Sequence, residues 1–346
     1  MSQSITSATE MESLVLTAQA HLKDIIHVVY NHSDQERAVV VYDTNCLLST
    51  VLTQAYRHAL PHATFLDFSQ LQPETILETL NMLQASDFVV LVQSTNFRLD
   101  AFRIRVELFK RKIKVIEHPH LSRIADRDAR YYIDALAYDP DYYRVVGPAL
   151  KRKIDSAPSG VVDSGGALLY YDTPFESAKL NIGDYRAMPN TGGQFPIGEV
   201  FTEAKTLTAL HGRLRIFLFS DTSYTINRPT EPITLIIEEG KVVDTENSTP
   251  AFDEILTMIR EDEGVVWVRE LGFGLNRAFS KERTVSDTGS FERMCGVHVS
   301  LGAKHGMYGK PGFKRRDGKY HVDVFADTKS VTLGDEVVFK NSAWIV

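Results

Sequence analysis

The first half of the chain alternates two hydrophobic periods, and that alternation restricts the fold more than any other feature. Ala38-Val39-Val40-Val41-Tyr42, Phe88-Val89-Val90-Leu91-Val92 and Ile113-Lys114-Val115-Ile116 are short, β-rich apolar runs. Met11 to Val28, Leu47 to Ala59 and Phe102 to Phe109 carry apolar residues at helical spacing instead. Strands that are apolar at nearly every position need cover on both faces, so this half predicts an open, largely parallel, Rossmann-like α/β sheet. Near Ser156-Ala157-Pro158-Ser159-Gly160 the pattern changes to glycine, threonine and short strands. Gly165-Gly166, Gly183-Asp184 and Asn190-Thr191-Gly192-Gly193 read as turns. Ile233 to Val243 reads as a hairpin and Phe252 to Ile259 as the one clear helix of this half. A chain of 346 residues is long enough to bury two cores. The expected organisation is an α/β protein with an open α/β domain over 1–155 and a mixed α+β domain over 156–346.

Charge and cysteine content exclude several functions. A formal net charge of -7 leaves no basic footprint for nucleic acid, and Lys110-Arg111-Lys112 and Lys314-Arg315-Arg316 read as solvated surface. Cys46 and Cys295 stand far apart, which gives neither a disulfide framework nor a thiolate zinc cage. Met1-Ser2-Gln3-Ser4-Ile5-Thr6 lacks the basic start and apolar run of a signal peptide, and no stretch approaches the ~18 apolar residues of a membrane span. The expectation is a cytoplasmic protein without a membrane partner.

Metal-type ligands gather in the second half. In Tyr320-His321-Val322-Asp323-Val324, alternate side chains of an extended strand share a face, so His321 and Asp323 are able to grip one ion. His298 closes a hydrophobic run in Gly296-Val297-His298-Val299-Ser300-Leu301-Gly302; the alternative is a neutral imidazole bonded to a backbone carbonyl. Glu199 sits where a glycine-rich loop meets the apolar pair Val200-Phe201, a costly place for a carboxylate without a positive partner. A metal ion or Arg186 answers that need. Glu270 lies in Arg269-Glu270-Leu271-Gly272-Phe273-Gly274-Leu275-Asn276, whose glycines imply close backbone packing, with Arg269 or Arg277 as its alternative partner. Glu292 reads equally as surface, and His118 and His120, flanking Pro119, need nothing beyond loop polarity. Imidazoles mixed with carboxylates suit zinc, cobalt, manganese or iron(II) better than calcium.

Taken in order, these motifs resemble the metalloaminopeptidase family of the aminopeptidase T, aminopeptidase S and aminopeptidase II type. The resemblance runs from about Gly147 to the C-terminus through Pro189-Asn190-Thr191-Gly192-Gly193, Gly198-Glu199-Val200-Phe201-Thr202, Ile233 to Val243, Glu270 to Asn276, Gly296 to Gly302 and His321-Val322-Asp323. It implies a two-metal centre of zinc, cobalt or manganese held by Glu199, Glu270, Glu292, His298, His321 and Asp323, with Glu270 bridging the ions and assisting the attacking water. It also implies a small peptide substrate and a homodimer. The stretch from Glu292 to His298 is one residue shorter than the family's usual run, which shifts the reach of Glu292. Where the family has a tyrosine after the histidine motif, this chain reads Ala303-Lys304-His305-Gly306-Met307-Tyr308, leaving His305 or Tyr308 as the electrophilic group or proton donor. The N-terminal half matches only through Val39-Val40-Val41-Tyr42-Asp43 and the helix after it, and is shortened.

The leading functional expectation is an aminopeptidase or related amide hydrolase with a metal-activated water. Two alternatives stand beside it: a non-catalytic peptide-binding homologue in a peptide-modifying pathway, and a mononuclear iron(II) ring-cleaving dioxygenase, since a dihydroxypyridine dioxygenase shares the family's C-terminal fold.

Overall fold

The three apolar runs of the first half become neighbouring parallel strands, Ala38–Tyr42, Phe88–Val92 and Lys114–His118. The computed structural model describes residues 8–99, 104–186, 188, 190–310 and 318–346; Phe102, Pro189, the 314–316 basic cluster and the first six residues lie outside them. Two compact units are present. One reaches to Pro140 and takes in Gly183–Ile197 and Lys281–Ser286; the other comprises Asp141–Ile182, Gly198–Ser280 and Asp287–Val346.

In the first unit the strand order is Thr64–Asp67, Ala38–Tyr42, Phe88–Val92, Lys114–His118, Gly192–Gln194, all parallel. Val39, Val41, Val89, Leu91 and Val115 point to the face covered by Ile76 and Leu80 of helix Pro73–Asn81 and by Ile104 and Leu108 of helix Ile104–Lys110. Val40, Val90 and Ile116, alternating with them, are also fully buried on the other side. That two-sided cover is why the strands are apolar throughout. Thr64–Asp67 spans four residues, too short for a period to show. The turn reading of Gly192-Gly193 is corrected: Gly192–Gln194 is an edge strand. Its backbone passes so close to Val115 that a Cβ on Gly192 would lie 1.8 Å from the Val115 carbonyl oxygen, so the glycine serves strand contact.

His118 ends the fourth strand inside this core rather than in a loop. Tyr132 donates its hydroxyl proton to the Phe195 carbonyl (3.1 Å) and so accepts from His118 Nδ1 (2.9 Å), which leaves Nε2 to accept from Tyr56 (2.8 Å). One neutral tautomer satisfies all three groups, and burial holds the imidazole down from 6.5 to about 3. The unfolded chain takes up this proton below 6.5 and the folded chain does not until about 3, so the contribution of His118 to stability is flat above pH 6.5 and falls between those values. At pH 4 the loss is roughly 3 kcal/mol at 1.36 kcal/mol per pKa unit. Urea midpoints at pH 7 and pH 4 should show it in the wild type and a much smaller drop in His118→Gln; equal drops in both would exclude the histidine as its source.

The second unit is built on a large antiparallel sheet. Towards one edge it runs Leu210–Ser220, Val322–Ala326, Gly296–Leu301, Val268–Gly274, Glu199–Glu203 and Lys179–Asn181. The expected hairpin forms from Ile233–Glu238 and Lys241–Glu246 and pairs with Leu210–Ser220. The expected helix is Pro250–Glu263, its first turn capped by the Thr249 side chain. Among the described residues, no helix is long and apolar enough to cross a membrane.

Candidate metal centre

Strand register collects the acidic and imidazole side chains on one face of this sheet. Gly274 pairs with Glu199, Gly272 with both Phe201 and His298, and Ser300 with Asp323. Cross-strand partners share a face, as do alternate residues along a strand, so Glu199, Glu270, His298 and Asp323 emerge together. The intervening Val200, Leu271, Phe273, Val297, Val299, Val322 and Val324 are buried on the opposite face. The glycines in the Glu270 strand have a function here. The His298 ring lies directly over Gly272, where a Cβ would fall 2.0 Å from Cε1 and 2.2 Å from Nε2.

The six expected ligands Glu199, Glu270, Glu292, His298, His321 and Asp323, with His305, lie in this unit and gather in one region. His298 Nε2 is 3.5 Å from Glu199 Oε1 and 3.6 Å from Glu270 Oε1; His305 Nδ1 is 3.4 Å from Glu270 Oε2; His321 Nε2 is 3.2 Å from Asp323 Oδ1. Glu199, Glu292 and His298 each offer a ligand atom within 4.8 Å of the others, a group able to hold a metal ion. His321 precedes its strand rather than lying in it, yet its ring still meets Asp323. Its Nδ1 lies 3.0 Å from the Lys304 carbonyl oxygen, so the Nδ1 proton is donated there and Nε2 is directed inward. Tyr308 turns away, donating its hydroxyl to the Ser177 carbonyl at 2.8 Å.

These spacings fit a shared cation better than direct pairing. Among the described residues, His298 Nε2, His305 Nε2 and Asp323 Oδ1 are buried without a hydrogen-bond partner. Bonds of about 2.0–2.2 Å to a tetrahedrally held ion put neighbouring donors roughly 3.3–3.6 Å apart, close to the spacing of the His298 contacts. Charge points the same way. Burial raises the pKa of Glu199. Burial alone would raise Glu270 and Asp323 too, but His298 and His321 respectively hold them below the usual carboxylate range. Burial would lower His321, but Asp323 and Glu270 lift it to about 10; His298 is raised by Glu270, Glu199 and Asp323 against the same burial. His305 is lowered by burial.

Three arginine-linked features were not read from the sequence. Arg186 pairs with Asp184, and the guanidinium beside Glu199 is that of Arg293, with Nη1 at 3.7 Å from Glu199 Oε2 and ion-paired with Glu292. Arg269 does not serve Glu270; it pairs with Glu203 and donates to the carbonyls of Ala303 (2.8 Å) and Tyr308 (3.4 Å). The loop bearing His305 is thereby tied to the sheet through a buried ion pair. Glu270 N donates to Ser300 Oγ at 3.0 Å, and Asp323 N to Ser220 Oγ at 2.9 Å. Only Gly272 left a trace, as a glycine in a strand where close approach was expected.

No family model matches the chain, and no curated protein sequence matches it. Its fold is similar to a solved structure, wild-type AmpT from Thermus thermophilus, with 13% identity, a TM-score of 0.56 and coverage of 96% of this chain and 99% of that one.

Proposed function

We propose that this chain is a metal-dependent hydrolase of small peptides or related amides, its divalent ions held by Glu199, Glu270, Glu292, His298, His321 and Asp323. The observation that carries the reading is the convergence of four carboxylates and two imidazoles at donor spacings of 3.2–3.6 Å or within a 4.8 Å cluster, with buried ligand atoms lacking hydrogen bonds. The sequence resemblance to the aminopeptidase T family and the fold likeness to AmpT support it. The donor set suits zinc, cobalt or manganese, and it is large enough to hold two ions, with Glu199 and Glu292 grouped about His298 and Glu270 3.6 Å from its Nε2.

Bound divalent ions would supply a water acidified towards neutrality and polarisation of a carbonyl. The chain's own residues do the rest. Glu270 accepts the proton of the attacking water and passes it towards the leaving amine. His305, whose Nε2 has no hydrogen-bond partner among the described residues, donates from Nε2 to the developing oxyanion once Glu270 has taken the water proton and turned it towards His305 Nδ1, 3.4 Å away. Arg269 fixes the loop that carries it. Metal analysis of protein purified without chelator, combined with a panel of aminoacyl amides and short peptides, tests the reading. Stoichiometric zinc, cobalt or manganese with metal-dependent amide hydrolysis is expected. Iron alone, or no metal and no turnover, would overturn it. In the active enzyme His305→Ala should lower kcat about 10²-fold with KM nearly unchanged, as expected of a contact made in the transition state. An unaltered kcat would remove His305 from that role.

A further inference from the structure

We infer that Arg293 is a built-in counter-cation at the Glu199–Glu292–His298 position, so that the centre binds one divalent ion tightly and a second only weakly. This rests on the metal-dependent reading above. Arg293 is 6% exposed; it is ion-paired with Glu292 and stands 3.7 Å from Glu199 Oε2. Both carboxylates of the three-ligand group therefore already face a positive charge. Its Nη1 is also anchored on the Gly289 carbonyl at 3.1 Å, which leaves a buried side chain little freedom to swing aside.

Burial strengthens the effect, since a guanidinium cannot lose its proton and charges in a poorly solvated site are weakly screened. A dication entering between Glu199, Glu292 and His298 has to displace Arg293 from Glu292 or share both carboxylates with it. Among the described residues no arginine or lysine is ion-paired with Glu270 or Asp323; histidines stand nearest to them, His298 and His305 beside Glu270 and His321 beside Asp323, while Arg293 acts on Asp323 only from beyond ion-pair distance. An imidazole nitrogen offers a lone pair to a metal ion, whereas the Arg293 guanidinium offers none. The Glu270–His321–Asp323 side is thus the tight position.

Titrating the metal-stripped full chain with Zn²⁺, or with Mn²⁺, by calorimetry and metal analysis decides the matter. The wild type should show one tight equivalent and a second at least about tenfold weaker. Arg293→Met should strengthen the weak class at least about tenfold and leave the tight class in place, while Arg293→Lys, which keeps the charge, should leave it weak. Two equal classes in the wild type, or a weak class unmoved in Arg293→Met, would overturn the inference. If Arg293→Met does not fold, Glu292→Gln decides: it should further weaken the second class alone, and loss of the tight class would overturn the assignment. No binding to the wild type at either position would instead defeat the metal reading itself.

Discussion

Glu270→Gln is expected to retain part of the bound metal and to lose turnover by roughly 10²–10⁴-fold, the range for removing a general base. The substitution preserves side-chain length and one oxygen, so the centre keeps a weak ligand at this position. It removes the charge and the proton acceptor. Glu270 also stands between His298, at 3.6 Å, and His305, at 3.4 Å, so its negative charge contributes to the placement of both rings. A purely structural role would predict a broad loss of metal with turnover falling in proportion. The base role predicts a drop in kcat at saturating metal, with KM little changed. Turnover near the wild-type value, on any substrate the enzyme accepts, would remove Glu270 from proton transfer.

What was legible in the sequence follows a physical division. The three apolar runs and the helix Leu47–Ala59 stand where periodicity put them, because sheets covered on both faces and amphipathic helices write their packing into the chain. The edge strand Gly192–Gln194 was hidden because close backbone approach and a turn demand the same residue. Histidines and carboxylates were conspicuous for the opposite reason: groups costly to bury stood in apolar runs. Their partners were not conspicuous. Nothing local marks Arg293 as the neighbour of Glu199, or Glu203 as that of Arg269, since the first is brought up by the turn after Thr288–Phe291 and the second by strand register, in each case between residues distant in sequence. His118 misled in the other direction. It reads as loop polarity beside a proline, yet two tyrosines from separate helices satisfy both of its nitrogens in the core.

Gly272→Ala should damage the centre although it touches no charge. Glycine weakens a strand interior, so its presence opposite His298 in a buried central strand calls for a reason. The reason is contact: the added Cβ would lie 2.0 Å from Cε1, 2.2 Å from Nε2 and 2.7 Å from Nδ1 of the imidazole. Those are not flexible tips that yield cheaply, because the ring is 1% exposed and packs against Phe325 with centroids 5.7 Å apart. His298 has to tilt away, and with it moves the nitrogen that faces both Glu199 and Glu270. Metal affinity should fall on the order of 10–100-fold, as when a ligand loses its orienting support. Overpacking should cost about 1–3 kcal/mol of stability. The double variant Gly272→Ala, His298→Ala separates the two effects: with the ring gone the clash disappears, so the second substitution should recover stability relative to Gly272→Ala without recovering metal. Wild-type metal affinity in Gly272→Ala would show that His298 is no ligand, and an additive double variant would show that ring and glycine do not press on each other.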